Sequence, residues 1–192
     1  LHPKYLIPVE PKATVLLAHS LVMQNGKIIA VLPESDVRLR YQDATHIELK
    51  EHALTPGFIN LHAHSAMSLL RGLADDLALM DWLNHHIWPA EKKHVSDEFV
   101  LDGTLYAMAE MIRGGTTTVN DMYFHHQAVA KAGLQAGMRT IVGCSILEFP
   151  TGFAQNVGEY LDKAIEASTA FANQDGVGFR LAPHAPYTVA DD

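Results

Sequence analysis

The chain has 192 residues, of which 48% are hydrophobic and 19% charged, with a formal net charge of −8 and one cysteine. That balance can build and solvate a packed core, so disorder is excluded as the default, and the lone cysteine excludes an internal disulfide framework. The acidic balance argues against a nucleic-acid partner, which is met by clustered Lys and Arg, and no stretch approaches the ~20 apolar residues of a membrane span.

Residues 1–55 alternate short apolar runs, such as Val15-Leu16-Leu17, Leu21-Val22-Met23 and Ile28-Ile29-Ala30-Val31-Leu32, with turn chemistry. Asn25-Gly26 predicts a hairpin. The opening Leu1-His2-Pro3-Lys4-Tyr5 does not begin a signal peptide, so a cytoplasmic location is expected.

Next comes Leu54-Thr55-Pro56-Gly57-Phe58-Ile59-Asn60-Leu61, in which Pro56-Gly57 marks a turn and Phe58, Ile59 and Leu61 a short strand of the buried parallel type. His62-Ala63-His64 ends it. Side chains two apart on a strand share a face about 6.5 Å apart at the backbone, and imidazole reach lets both rings meet one divalent ion at roughly 2.0–2.1 Å. With twelve histidines in the chain an HxH can arise by chance, but the end of a core strand is where ligands belong. An imidazole pair selects zinc or ferrous iron, zinc first, over magnesium or calcium, which prefer oxygen.

The periodicity then turns helical, with short helices over 65–71 and 81–93. From Ser96, a capping residue, Leu101, Leu105, Met108 and Ile112 define the apolar face of a longer helix closed by Arg113-Gly114-Gly115. Strands are predicted over 116–122, 138–147 and 177–182, with helices over 127–136 and 157–172. Cys144 lies in the third core strand as a buried free thiol. Strand and helix alternate as in parallel βα units. His85-His86 and His125-His126 are adjacent pairs whose neighbours point about 100° apart on a helix, so they read as solvated surface, while Asp121 and His125 read as turn or supporting groups.

The phrase Leu54 to His64 resembles the barrel-opening motif of the amidohydrolase superfamily. Ser68 to Asp76, Trp82-Leu83, Pro89-Ala90-Glu91, Gly114 to Thr118 and Pro183-His184-Ala185-Pro186-Tyr187-Thr188 are similar, in order, to its 5-methylthioadenosine/S-adenosylhomocysteine deaminase branch. The resemblance implies an α/β fold: a partial β-sandwich over 1–55, then over 56–192 the first half of a (β/α)8 barrel, about four of eight strands. Such a barrel takes about 250 residues, so the chain, which starts without methionine, reads as a portion of a longer polypeptide.

That resemblance also implies an activity, hydrolytic deamination of a nucleoside, in which a divalent metal held by His62 and His64 lowers the pKa of a water. Its remaining ligands, a histidine on the fifth strand and an aspartate on the eighth, and its glutamate acid–base are expected beyond this chain, which therefore contains no catalytic residue of its own. Of the substrate-binding positions, Trp82 packs on the nucleoside, Glu91 accepts from the ribose hydroxyls and His184 bonds the purine. The competing readings are core for Trp82, an exposed helix charge for Glu91 beside Lys92 and Lys93, and a structural turn histidine for His184. Some relatives hold the homocysteine carboxylate with arginines where this chain has Cys144 to Phe153, and its apolar Phe149, Pro150 and Phe153 suit a methylthio group at least as well, which leaves the thioether preference open. The implied partners are a small nucleoside, further copies of the chain as a homo-oligomer, and the missing C-terminal half of the barrel. Another amidohydrolase activity, on guanine, cytosine or a triazine, and a non-catalytic half barrel are the alternatives.

Overall fold

The computed structural model describes residues 1–190. The chain divides into two compact units, Leu1–Pro56 and Gly57–Asp192.

The first unit contains β1 (His2–Leu6), β2 (Leu16–Leu17), β3 (His19–Gln24), β4 (Lys27–Pro33), α1 (Glu34–Arg40) and β5 (Glu48–Leu54). A three-stranded sheet runs in the order β2-β1-β5, and β3 and β4 form a separate antiparallel ribbon. Their turn is the predicted hairpin: Gln24 pairs with Lys27, and Asn25 and Gly26 both have positive φ (51° and 73°), as a two-residue primed turn requires. Helix α1 buries only Val37. His2 is buried and held between Ser20 Oγ (2.6 Å) and His46 Nδ1 (2.7 Å). His46 Nε2 donates to the Tyr41 carbonyl, so His46 Nδ1 must accept from His2 Nε2–H and His2 Nδ1 from the Ser20 hydroxyl.

The second unit is α/β, consistent with the N-terminal part of an amidohydrolase barrel. Four parallel strands lie in the order β6 (Phe58–Ala63), β7 (Thr116–Tyr123), β8 (Arg139–Ile146) and β9 (Val177–Pro183). After β6 come a 3-10 turn (Ser65–Leu70), α2 (Leu79–Trp82), a π-helical segment (Leu83–Ile87), α3 (Trp88–His94) and α4 (Asp97–Arg113); α5 (His126–Ala136) and α6 (Val157–Ala170) complete the crossovers. The π segment has a local cause. Pro89 has no N–H for the helical ladder and its ring would strike the carbonyl four residues back, so the preceding turn widens.

Ser96 caps α4, accepting from the Phe99 amide at 3.1 Å. The buried face of α4 is Val100, Gly103, Thr104, Ala107 and Met108, rotated from the expected one: Met108 is shared, but Leu101 and Leu105 are only partly covered and Ile112 is 49% exposed. Small residues explain this, because they let α4 approach the 3-10 turn closely. A Cβ on Gly103 would lie 2.6 Å from the Ala66 carbonyl oxygen. The core lies between sheet and helices, around Val119, Val129, Val142 and Cys144, whose thiol is buried as expected and whose pKa burial pushes up to about 11. Among the described residues, no helix is long and apolar enough to cross a membrane.

Candidate active site

His62 and His64 stand at the C-terminal end of β6, and His184 follows β9 at the opposite edge of the sheet. Three flat inter-strand steps would separate those edges by ~14 Å. Yet the rings of His64 and His184 lie 6.5 Å apart between centroids, so the sheet curls and turns these side chains inward. His62 and His64 meet edge to face at 4.9 Å. The strand itself ends at Ala63, and the expectation of simple alternation needs one correction. Asn60 pairs with Val119 but Ala63 with Asp121, so β6 carries an extra residue across Leu61 and His62. Such a bulge re-aims side chains at a strand's mouth.

Strand β7 fixes the pair from the side. His64 Nδ1 lies 2.7 Å from the Met122 carbonyl oxygen, which can only accept, so Nδ1 carries the proton and Nε2 keeps its lone pair. Asp121, fully buried, accepts from the Ser65 amide at 2.8 Å and so secures the backbone directly after His64. Its other oxygen, Oδ2, has no hydrogen-bond partner among the described residues. Burial raises the Asp121 pKa to about 6, against the Ser65 hydrogen bonds and the His62 charge, which lower it. Two convergent imidazoles, one with its tautomer set by a carbonyl, fit two corners of a tetrahedral zinc or ferrous-iron site. His184 Nδ1–H donates to Thr188 Oγ1 (3.0 Å), whose own proton goes to the Ala185 carbonyl, and burial first, then His64 and His62, lower the His184 pKa. A neutral ring is thereby favoured at this position.

Glu91 is not an exposed helix charge. It is half-buried, its Oε1 accepts from the Tyr123 hydroxyl at 2.7 Å, and burial raises its pKa while that hydrogen bond lowers it. Tyr123 itself is 4% exposed at the end of β7. Nothing in the sequence announced this contact, which spans 32 positions. Trp82 is half-buried; its indole donates to the Leu73 carbonyl at 3.2 Å, and it lines a cleft of about 310 Å³ with Met67, Arg71, Leu73 and Ile87. Among the described residues, no hydrogen bond links Trp82 to His62, His64 or His184.

The apolar loop after β8 divides into two parts. Phe149 packs on Trp88, one helical turn before Glu91, with ring centroids 5.7 Å apart. Phe153 is instead committed to the core, against Phe124, His126 and Tyr160. The surface reading of the histidine pairs also needs correction. His85 is exposed and pairs with Asp81, but His126 is 2% exposed, with neither ring nitrogen in a hydrogen bond of good geometry. Desolvation lowers its pKa to about 4. His126 opens α5 after the left-handed His125, and that turn drives its ring under Phe153.

One other cluster, in the first unit, has ligand-type groups within 4.8 Å of one another: His2, Glu34 and Glu48. Two cations already occupy that neighbourhood. Arg38 reaches Glu34 (2.6 Å) and Glu48 (2.5 Å), and Lys50 reaches Glu34 (3.0 Å) and Glu48 (3.1 Å). His2 is spent on Ser20 and His46, so the cluster is an ion-pair network in which a third cation would be repelled.

Residues 53–192 match the amidohydrolase family, and the chain belongs to it. More particularly, it is 44% identical over 189 residues to a 5-methylthioadenosine/S-adenosylhomocysteine deaminase of Saccharophagus degradans, covering 98% of this chain and 42% of that one. The Aquifex aeolicus protein of the same name is 48% identical over 133 residues, covering 69% of this chain and 31% of that one. A zinc-bound crystal structure of an adenosine deaminase from Xanthomonas campestris superposes with a TM-score of 0.88 at 43% identity, over 99% of this chain and 43% of that one. Escherichia coli guanine deaminase shares the fold, with a TM-score of 0.78 at 20% identity over 93% of this chain and 43% of that one. The chain thus spans less than half the length of these relatives.

Proposed function

We propose that this chain is the N-terminal part of a metal-dependent hydrolytic deaminase that converts an adenosine-type thionucleoside, 5′-methylthioadenosine or S-adenosylhomocysteine, to its inosine analogue and ammonia. The observation that carries the reading is the convergence of His62, His64 and His184 at the C-terminal end of a curled parallel sheet, the face on which such barrels place their chemistry. The likeness to deaminases of that name supports the substrate class. In this reading β6 to β9 are four of eight barrel strands, residues 56–192 form the first half of the barrel, and residues 1–55 are part of a β-sandwich. The remainder of a longer polypeptide closes both, and the complete protein is a cytoplasmic homo-oligomer.

His62 and His64 would hold the metal, zinc in the first instance, through neutral imidazoles. A divalent ion held there would supply Lewis acidity and lower the pKa of a water towards neutrality. His184, kept neutral by burial and its histidine neighbours, offers a ring nitrogen to the purine. Glu91 accepts from the ribose diol, a charge-assisted contact that repays burying a carboxylate. Guanine, cytosine or a triazine offers no such diol. The Trp88–Phe149 pair beside Glu91 provides an apolar, polarisable wall for a methylthio group. Trp82 is assigned to the same nucleoside.

The test is metal analysis of the full-length protein together with an ammonia-release screen over 5′-methylthioadenosine, S-adenosylhomocysteine, adenosine, guanine and cytosine. Release from the thionucleosides with stoichiometric zinc is expected. Release from a free base alone would overturn the substrate assignment, and full activity without a divalent metal would overturn the metal assignment.

A further inference from the structure

We propose that Tyr123 is a positioning residue for ribose recognition: its phenol, donating to Glu91 Oε1, fixes that carboxylate in one rotamer and leaves Oε2 to accept from the nucleoside hydroxyls. The inference rests on the ribose role of Glu91 proposed above. Its basis is geometric. Glu91 projects from α3, a seven-residue helix that follows a π segment, and a glutamate on so short a support has three torsions to lose before it can hold a diol. Tyr123 terminates β7, whose neighbouring residues Asp121 and Met122 hold the Ser65 amide and the His64 ring. A 2.7 Å hydrogen bond from that strand thus ties the ribose-binding carboxylate to the same scaffold that orients the imidazoles. The Tyr123 ring is buried against Phe124, so the phenol cannot swing away to another partner. A hydroxyl donor also favours the ionised carboxylate against its desolvation, which keeps Glu91 an acceptor for both hydroxyls.

The experiment uses the full-length, metal-loaded enzyme with adenosine and 3′-deoxyadenosine as paired substrates, in wild type, Tyr123→Phe, Glu91→Ala and the double variant. Wild type is expected to favour adenosine, and Tyr123→Phe to cut that preference about tenfold, the worth of a hydrogen bond to a charged group, through KM, with kcat within about twofold. In the Glu91→Ala background the Tyr123 substitution should have no further effect on the preference. A purely structural tyrosine would lower thermal stability and leave the preference intact, which overturns the proposal. A wild type that does not distinguish the two substrates overturns instead the ribose role of Glu91. Should Tyr123→Phe fail to fold, 3-fluorotyrosine at position 123, a stronger donor of nearly the same size, is expected to sharpen the preference; an unchanged preference there also overturns the proposal.

Discussion

The inner and outer strands of the parallel sheet divide their labour. Strands β7 and β8 supply the core, with Val119 and Val142 fully buried and Cys144 1% exposed. The outer strands are bare by comparison: Phe58, Ile59 and Leu61 of β6 are 65%, 62% and 74% exposed, and Leu181 of β9 is 59% exposed. Yet the outer strands carry the histidines. Of the inner pair it is β7 that acts on the site indirectly, through the Met122 carbonyl, the Asp121 carboxylate and the Tyr123 phenol. Within these residues the buried core and the histidines thus lie on different strands, joined by hydrogen bonds from β7 to the backbone and ring that follow β6.

The largest expected break in that division comes from His62→Ala in the full-length protein: metal retention and deaminase activity should fall to background while thermal stability without added metal changes little. A variant that keeps its metal by elemental analysis would show that the edge strand is not the ligand strand. Next in size is a matched pair of substitutions read by denaturant unfolding. Met108→Ala, on the helix face packed against Val119, should cost about 2–5 kcal/mol. If closure by further strands covers β6, as proposed, Leu61→Ala in the full-length protein should cost a similar amount; a loss below about 0.5 kcal/mol would mean that the edge stays in solvent.

A pH effect sharpens the contrast from the core side. The folded-state pKa of His126 is depressed from 6.5 to about 4, so the unfolded chain binds the extra proton first as pH falls. Stability associated with the neutral ring is complete above about pH 6.5 and declines as pH drops towards 4. His126→Phe, which also removes two unsatisfied nitrogens, should flatten the fall in melting temperature between pH 7 and pH 5; an unaltered slope would place the titrating group elsewhere. The smallest effect is expected from Ser96→Ala, about 0.5–2 kcal/mol for a lost cap on the helix that covers the inner strands.

Local pattern accounts for what could be read in advance. The Asn25-Gly26 hairpin, the strand–helix alternation after residue 57 and the His62–His64 pair at a strand end all follow from period and turn chemistry, while His184 is singled out by the family resemblance. What stayed hidden depends on partners far along the chain. The Met122 carbonyl beside His64 and the bulge across Leu61 and His62 arise only once β7 lies against β6, and the Tyr123–Glu91 bond only once α3 lies against β7. An adjacent histidine pair reads as surface, and burial of His126 is decided by Phe153 from the next crossover. The face of α4 was misjudged by weighing large side chains over the small ones that permit close approach. One signal was available and missed: Pro89 inside a helical pattern foretells the widened turn before it.

That widened turn sets an angular phase. Nine residues of ordinary α-helix at about 100° each would leave Trp82 and Glu91 on opposite sides of the axis. Five residues advancing by only ~80° in the wider coil take back about 100° of that half-turn. Leu83–Ile87 therefore works as a gear tooth: removing one residue there would rotate everything downstream and swing the glutamate off its tyrosine, without altering either side chain.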